Sequence, residues 1–261
     1  MINKSKFSQI IENYQVVIFD IWGVIYEGFD PYEGVVAAIN NLIIAQKKVI
    51  FLSNTPRPNY ITALRLKNFG ILVDQAEVYT SGDLVREYIN HTSKKIFHLG
   101  QVVNQDLLAD LVIETVTDIN QAEVMIISMF TDNEKELDKY DDILKIAVAK
   151  KIEVICANPD TKIKSGDKYL YCSGVFAQRL INFGGQVKFF GKPESNAYEK
   201  ILNKLHQDGM NKILMIGDTA ETDILGAKRA KIDSALVLSG NGLTSLNSET
   251  KPTWIVDGVA F

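Results

Sequence analysis

The chain has 261 residues, enough for one large or two modest domains with a sizeable core, which excludes a small disulfide scaffold. Hydrophobic residues make up 46% and charged residues 23%, the balance of a folded globular protein rather than a disordered chain. With 28 Lys and Arg against 32 Asp and Glu, the net charge of −4 offers no general attraction to nucleic acid or an anionic membrane.

In chain order, residues 1–15 mix Lys4, Lys6 and Glu12 with apolar residues and show neither the apolar run nor the cleavage site of a signal peptide. Residues 16–19 form the first strand-like run and hand over to Asp20. Residues 34–47 read as a crossover helix, and residues 49–52 as a second strand ending on Ser53 and Asn54. The middle segment, about 80–186, has its own strand-like runs at 96–99, 124–127 and 154–156. A helical pattern over 134–151 interleaves Leu137, Ile143, Leu144, Ala147 and Val148 with charges. Periodicity alone leaves open whether this segment is an inserted domain or more of one long sheet. Later runs are 187–190 before Gly191 and Lys192, 213–216 before Gly217 and Asp218, and 235–238 before Ser239 and Gly240, with 254–256 as a candidate edge strand.

This alternation predicts an α/β fold on a largely parallel sheet. Ligands bind such sheets at the carboxyl ends of the strands, where several runs here end on a carboxylate, hydroxyl, lysine or glycine. Each hand-over by itself is also what an ordinary turn or helix cap looks like. Only Cys156 and Cys172 are present, too few for a disulfide framework and too far apart for a CxxC site, so both are expected to be reduced thiols of a cytoplasmic protein. No stretch approaches the ~20 uninterrupted apolar residues of a membrane span.

Four segments, FDIWGVIYEG, FLSNT, FFGKPE and MIGDTAETDILGA, resemble the four ordered motifs of the haloacid dehalogenase superfamily. TSG at Thr80 to Gly82, ANPD at Ala157 to Asp160, GKP at Gly191 to Pro193 and GDTAETDI from Gly217 are similar to its NagD-type, p-nitrophenylphosphatase-like branch, subfamily IIA. The resemblance implies a Rossmann-like core over 1–79 and 187–261 with an inserted α/β cap of C2 type over 80–186. It also implies a Mg2+-dependent phosphatase acting on a small phosphorylated metabolite, and a homodimer, since this branch often dimerises.

By the same resemblance, Asp20 is the nucleophile that forms an aspartyl-phosphate, and a carboxylate is chemically able to attack phosphorus. Lys192 neutralises the nucleophile and the transferring group. Ser53 and Asn54 lie on the phosphate side, where a hydroxyl and turn amides can hold phosphate oxygens. Asp20, Asp218, Asp223 and the Trp22 carbonyl are the implied metal ligands, with Asp223 acting directly or from behind; its plainer reading is an acid favoured at a helix start. Asn158 and Asp160 are candidates for shaping the cap–core interface and the substrate contact, although an Asn-Pro turn accounts for them equally well. His91, His98 and His206 have no metal-ligand spacing and read as ordinary surface or partly packed residues.

One position departs from the pattern. The superfamily's phosphatases carry a second Asp two residues after the nucleophile, which protonates the leaving oxygen and activates water; here that residue is Trp22. Such help contributes ~10²- to 10⁴-fold, so its loss favours acyl or aryl phosphates over alkyl ones. Trp22 could wall the site, stack on a substrate ring or simply pack. Two other functions follow as alternatives: a phosphoryl-ligand binding or regulatory protein with weakened catalysis, or a metal-independent dehalogenase-like hydrolase, against which the acidic pair Asp218 and Asp223 argues.

Overall fold

The computed structural model describes residues 3–90 and 92–260, so His91 lies outside the described residues. Seven parallel strands form the first sheet, in the spatial order Asn3–Lys4, Trp254–Val256, Asp233–Val237, Ile213–Gly217, Val16–Phe19, Lys48–Ser53 and Val78–Thr80. Every residue of Val16–Phe19 and Ile213–Gly217 is buried, which is why these strands read as unbroken apolar runs. Their side chains alternate between two cores. Val17, Phe19, Phe51, Leu214 and Ile216 pack on one face with Ala38, Ile39 and Leu42 of the helix Val35–Ile44. Val16, Ile18, Ile50, Ile213 and Met215 pack on the other with Tyr198, Ile201 and Leu205 of the helix Asn196–Gln207. Trp254–Val256 is not the edge, because the two-residue strand Asn3–Lys4 pairs outside it.

From Val16–Phe19 the chain builds outward on one side through Lys48–Ser53 and Val78–Thr80. It later returns to the other side of the starting strand with Ile213–Gly217. The order thus reverses between Val16–Phe19 and Ile213–Gly217, the place where open α/β sheets form a ligand crevice. Phe19 is in register with Ile216, and the Asp20 N–H donates to the Ile216 carbonyl at 2.8 Å, so Asp20 and Asp218 emerge side by side at that crevice.

The middle segment has its own five-stranded parallel sheet, ordered Lys188–Phe189, Glu153–Cys156, Val124–Ser128, Ile96–Gly100 and Thr115–Val116. An antiparallel hairpin, Lys162–Ser165 with Lys168–Tyr171, projects beside it. The second sheet extends through Phe189, past the expected limit at 186, because Lys188 and Phe189 pair with Ile155 and Cys156. The helical pattern over 134–151 resolves into a 3-10 turn, Glu134–Tyr140, and an α-helix, Asp141–Ala149, with Arg179 bridging Asp138 and Asp141 across the joint.

The two connections between the sheets meet where the Ser81 hydroxyl donates to the Phe190 carbonyl, and the Gly82 N–H ties the outgoing one to the loop after Lys48–Ser53, donating to the Thr55 carbonyl at 3.1 Å. A Cβ on Gly82 would lie 2.2 Å from the Pro56 carbonyl oxygen, so the glycine of the TSG motif is required by close backbone approach. Among the described residues no helix is long and apolar enough to cross a membrane.

Candidate active site

A cavity of about 340 Å³ opens where the crevice of the first sheet meets the second sheet and the 162–171 hairpin. It is lined by Asp20, Trp22, Ser53, Asn54, Asn158, Asp160, Lys192, Asp218 and Asp223, so every expected site residue borders one space. A larger hollow of about 670 Å³, bordered by Ala147, Leu180 and Val187, lies on the second module away from these groups.

Lys192 is 2% exposed, and its ammonium contacts Asp20 Oδ1, donates to the Leu52 carbonyl at 3.1 Å and lies 2.8 Å from Asp223 Oδ1. Burial opposes its charge, but Asp20 and Asp223 outweigh that and hold its pKa above the usual lysine range. Asn54 positions this lysine. Its Oδ1 accepts from the Lys192 N–H at 2.7 Å, and its Nδ2 donates to the Lys192 carbonyl and to Asp160 Oδ1, both at 2.9 Å. The Asn54 side chain is therefore occupied by protein rather than open to a ligand. Among the described residues Ser53 Oγ only accepts, from the Thr55 N–H at 3.2 Å, which leaves its hydroxyl hydrogen available to an oxygen in the cavity. Asn158 closes a turn on itself, with Oδ1 accepting from the Asp160 N–H at 3.0 Å, so the turn reading describes its side chain.

Asp223 sits in a π-helical turn, Ala220–Ile224, ahead of the expected helix, and its Oδ2 accepts from the N–H groups of Asp218 and Thr219 at 3.1 and 3.0 Å. Those bonds fix the loop that carries Asp218. Asp218 Oδ2 accepts from the Asn241 N–H at 2.7 Å and Oδ1 from the Thr219 hydroxyl at 3.1 Å. Gly23, at φ +87°, lies so close that a Cβ there would be 2.2 Å from Asp218 Oδ2.

The carboxyl groups of Asp20, Asp218 and Asp160 are held above their ordinary range. Burial pushes Asp20 up to about 7 against the pull of Lys192, and burial with Asp20 and Asp223 nearby raises Asp218 well above 3.8. Burial likewise raises Asp160 to about 6. Three carboxylate oxygens, one each from Asp20, Asp218 and Asp223, lie within 4.8 Å of one another. One ammonium cannot balance three buried carboxylates, and an all-oxygen cluster of that span matches the hard-ligand preference of a divalent cation such as Mg2+.

Trp22 points its indole at the roof of the cavity. Nε1–H donates to the Lys164 carbonyl of the hairpin at 2.7 Å, and the ring meets Tyr26 edge-on at 5.4 Å. Nearby, Glu27 Oε1 accepts from the Gly166 N–H at 2.8 Å, so the first module grips the hairpin at two points. Ile163 and Leu170 of that hairpin border the cavity. His98 is half-buried behind the cavity wall, bonded to Ser128 Oγ at 2.7 Å, and burial pushes it down to about 4; among the described residues no histidine joins the acidic cluster.

Arg57, Arg65 and Asn241 also border the cavity and are absent from the motif-based expectation. Arg57 lies just beyond the FLSNT segment and Asn241 just beyond Ser239 and Gly240, so the strand-end rule reaches both if extended a few residues. Arg65, inside the helix Asn59–Asn68, carries no sequence signal of its role.

Known proteins are similar to this chain in sequence and in fold. A "haloacid dehalogenase-like hydrolase" family model matches residues 17–114, and a HAD-hydrolase-like model matches residues 189–260. The 4-nitrophenylphosphatase of Schizosaccharomyces pombe is 26% identical over 263 residues, covering 90% of this chain and 87% of that protein. The ribonucleotide monophosphatase NagD of Escherichia coli K12 is 26% identical over 253 residues, covering 94% and 96%. A haloacid dehalogenase-like hydrolase from Brucella suis 1330 superposes with a TM-score of 0.85 at 24% identity, covering 97% of this chain and 98% of that one, which speaks for the fold. With both family models on the first sheet's motifs and full-length relatives of one kind, the chain belongs to the haloacid dehalogenase superfamily, in its NagD/4-nitrophenylphosphatase-like subfamily IIA.

Proposed function

We propose that the protein is a Mg2+-dependent phosphohydrolase that acts on a small soluble phosphorylated compound through an aspartyl-phosphate on Asp20 and favours good leaving groups. The observation that carries this reading is the convergence of Asp20, Asp218 and Asp223 within 4.8 Å around one buried ammonium. The phosphatase names of its relatives support it.

In this reading a carboxylate oxygen of Asp20 attacks phosphorus; the new O–P bond forms as the bond to the leaving oxygen breaks. Water then attacks the same phosphorus, releasing phosphate and restoring the carboxylate. Lys192 orients Asp20 and offsets the charge of the transferring group, and the Ser53 hydroxyl donates to a phosphate oxygen. Asp20, Asp218, Asp223 and the Trp22 carbonyl would hold Mg2+, which supplies the positive charge that an anion attacking an anion requires. Trp22 has no acidic proton, and its one N–H is engaged by Lys164, so the leaving oxygen departs as an anion or takes its proton from water. The two cysteines, both buried and free, fit a cytoplasmic setting.

Hydrolysis of p-nitrophenyl or acetyl phosphate is expected with Mg2+, to fall sharply in EDTA, and to vanish in Asp20→Asn. Full turnover in Asp20→Asn would refute the mechanism.

A further inference from the structure

The phosphoryl end of the cavity is served by Lys192, whose ammonium is already surrounded by Asp20, Asp223 and the Leu52 carbonyl. Two more cations border the same space. Arg57 pairs through Nη2 with Asp106 at 2.9 Å, an ion pair about one-third exposed on the arginine side, while its Nε is buried with no hydrogen-bond partner among the described residues. Arg65 lies over the Tyr26 ring at 4.1 Å and donates to the Gly28 carbonyl at 2.5 Å, and among the described residues no carboxylate pairs with it. Tyr26, which Arg65 covers, lines the same cavity as both arginines. A guanidinium has five donors in a planar fork suited to carboxylate and phosphate, and these two leave most of theirs unused. The stack on Tyr26 also fixes the Arg65 plane before any ligand arrives.

We propose that Arg57 and Arg65 form a second anion subsite, so that the compound hydrolysed carries, besides its transferred phosphate, a further carboxylate or phosphate. This deepens the phosphohydrolase reading and rests on it. A volume of about 340 Å³ is within the range of small-ligand pockets, ~300–1,000 Å³, and leaves room beyond one phosphate for such a group. If the arginines only join the two modules, through Asp106, or brace Tyr26, their loss lowers activity alike on every substrate. A subsite changes the ratio between substrates.

The test compares kcat/KM of the full chain with Mg2+ on three compounds of one carbon chain: propyl phosphate, 3-phosphooxypropanoate and propane-1,3-diyl bisphosphate. The missing acid slows all three alike, so it cancels from the ratios. At least one doubly anionic compound is expected to exceed propyl phosphate by about tenfold or more, and which one does identifies the distal group. Arg57→Gln and Arg65→Gln are each expected to shrink that preference. Equal use of propyl phosphate by the unaltered protein overturns the proposal without any variant having to fold, and so does a preference that survives both substitutions. p-Nitrophenyl phosphate, assayed alongside, reports on the phosphohydrolase reading separately. If it is not hydrolysed, calorimetric affinities of propyl phosphate, 3-phosphooxypropanoate and propane-1,3-diyl bisphosphate decide the subsite: tenfold tighter binding of either doubly anionic compound supports it, and equal binding of all three overturns it.

Discussion

Replacing Trp22 by Phe removes one hydrogen bond between the two modules and keeps an aromatic ring beside Tyr26. The bond lost is Nε1–H to the Lys164 carbonyl, 2.7 Å long and partly buried. A protein hydrogen bond of this kind is worth about 1 kcal/mol net, and the stranded carbonyl adds up to about 1 kcal/mol more. The hairpin Lys162–Ser165/Lys168–Tyr171 keeps its second tether, Glu27 to the Gly166 N–H, so it is loosened rather than released. A cost of about 1–2 kcal/mol multiplies the open fraction by about 5 to 30. Amide hydrogen exchange read by mass spectrometry on peptides spanning 162–171 is expected to speed up by that factor, while the strands Val16–Phe19 and Ile213–Gly217 exchange as before. Because Ile163 and Leu170 form part of the cavity wall, KM is expected to rise more than kcat falls. Unchanged exchange in the hairpin would refute the claim that Trp22 holds it.

Three further outcomes are expected. Trp22→Asp restores a carboxyl where the family's acid stands, so turnover of propyl phosphate rises at least tenfold and that of acetyl phosphate much less; equal responses would show that proton supply is not what Trp22 costs. Gly23→Ala combines a left-handed backbone, φ +87°, with a Cβ 2.2 Å from Asp218 Oδ2, and is expected to lower turnover at least tenfold with about 1–3 kcal/mol of destabilisation; near-normal kinetics would show that Asp218 can move freely. His98 is pushed down to about 4 from 6.5 by burial, so between those values the unfolded chain binds the extra proton, and stability falls as pH drops from about 6.5 towards 4 by up to about 3 kcal/mol. Urea midpoints for His98→Gln should be flatter over this range than for the unaltered chain, and an identical slope would exclude His98 as the source.

What could be read before the structure follows from burial. Val16–Phe19 and Ile213–Gly217 are covered on both faces, so their apolar runs are unbroken and the polar residue that ends each is conspicuous. Asp20 and Asp218 were visible for that reason. Lys188–Phe189 has one exposed lysine and one half-buried phenylalanine, and two residues carry no information about which sheet they join; they pair with the second rather than the first. Asn54 could be placed beside the site but not given its work, because its partners, Asp160 and Lys192, lie 106 and 138 residues further along the chain. The bond from Trp22 spans 142 residues and ends on a backbone carbonyl, a group every residue has, so no pattern of side chains announces it. Arg65 is hidden in the same way, recognised only through the ring it covers.

Ser81, in the outgoing connection, is fastened to Phe190 in the returning one, and Lys192 follows two residues later. The two passages are therefore pinned to each other rather than left as two loose cords. That fastening sits two residues from Lys192, whose ammonium contacts Asp20. A lesion at Ser81, which itself borders no part of the cavity, is therefore expected to be felt there as a misplaced charge.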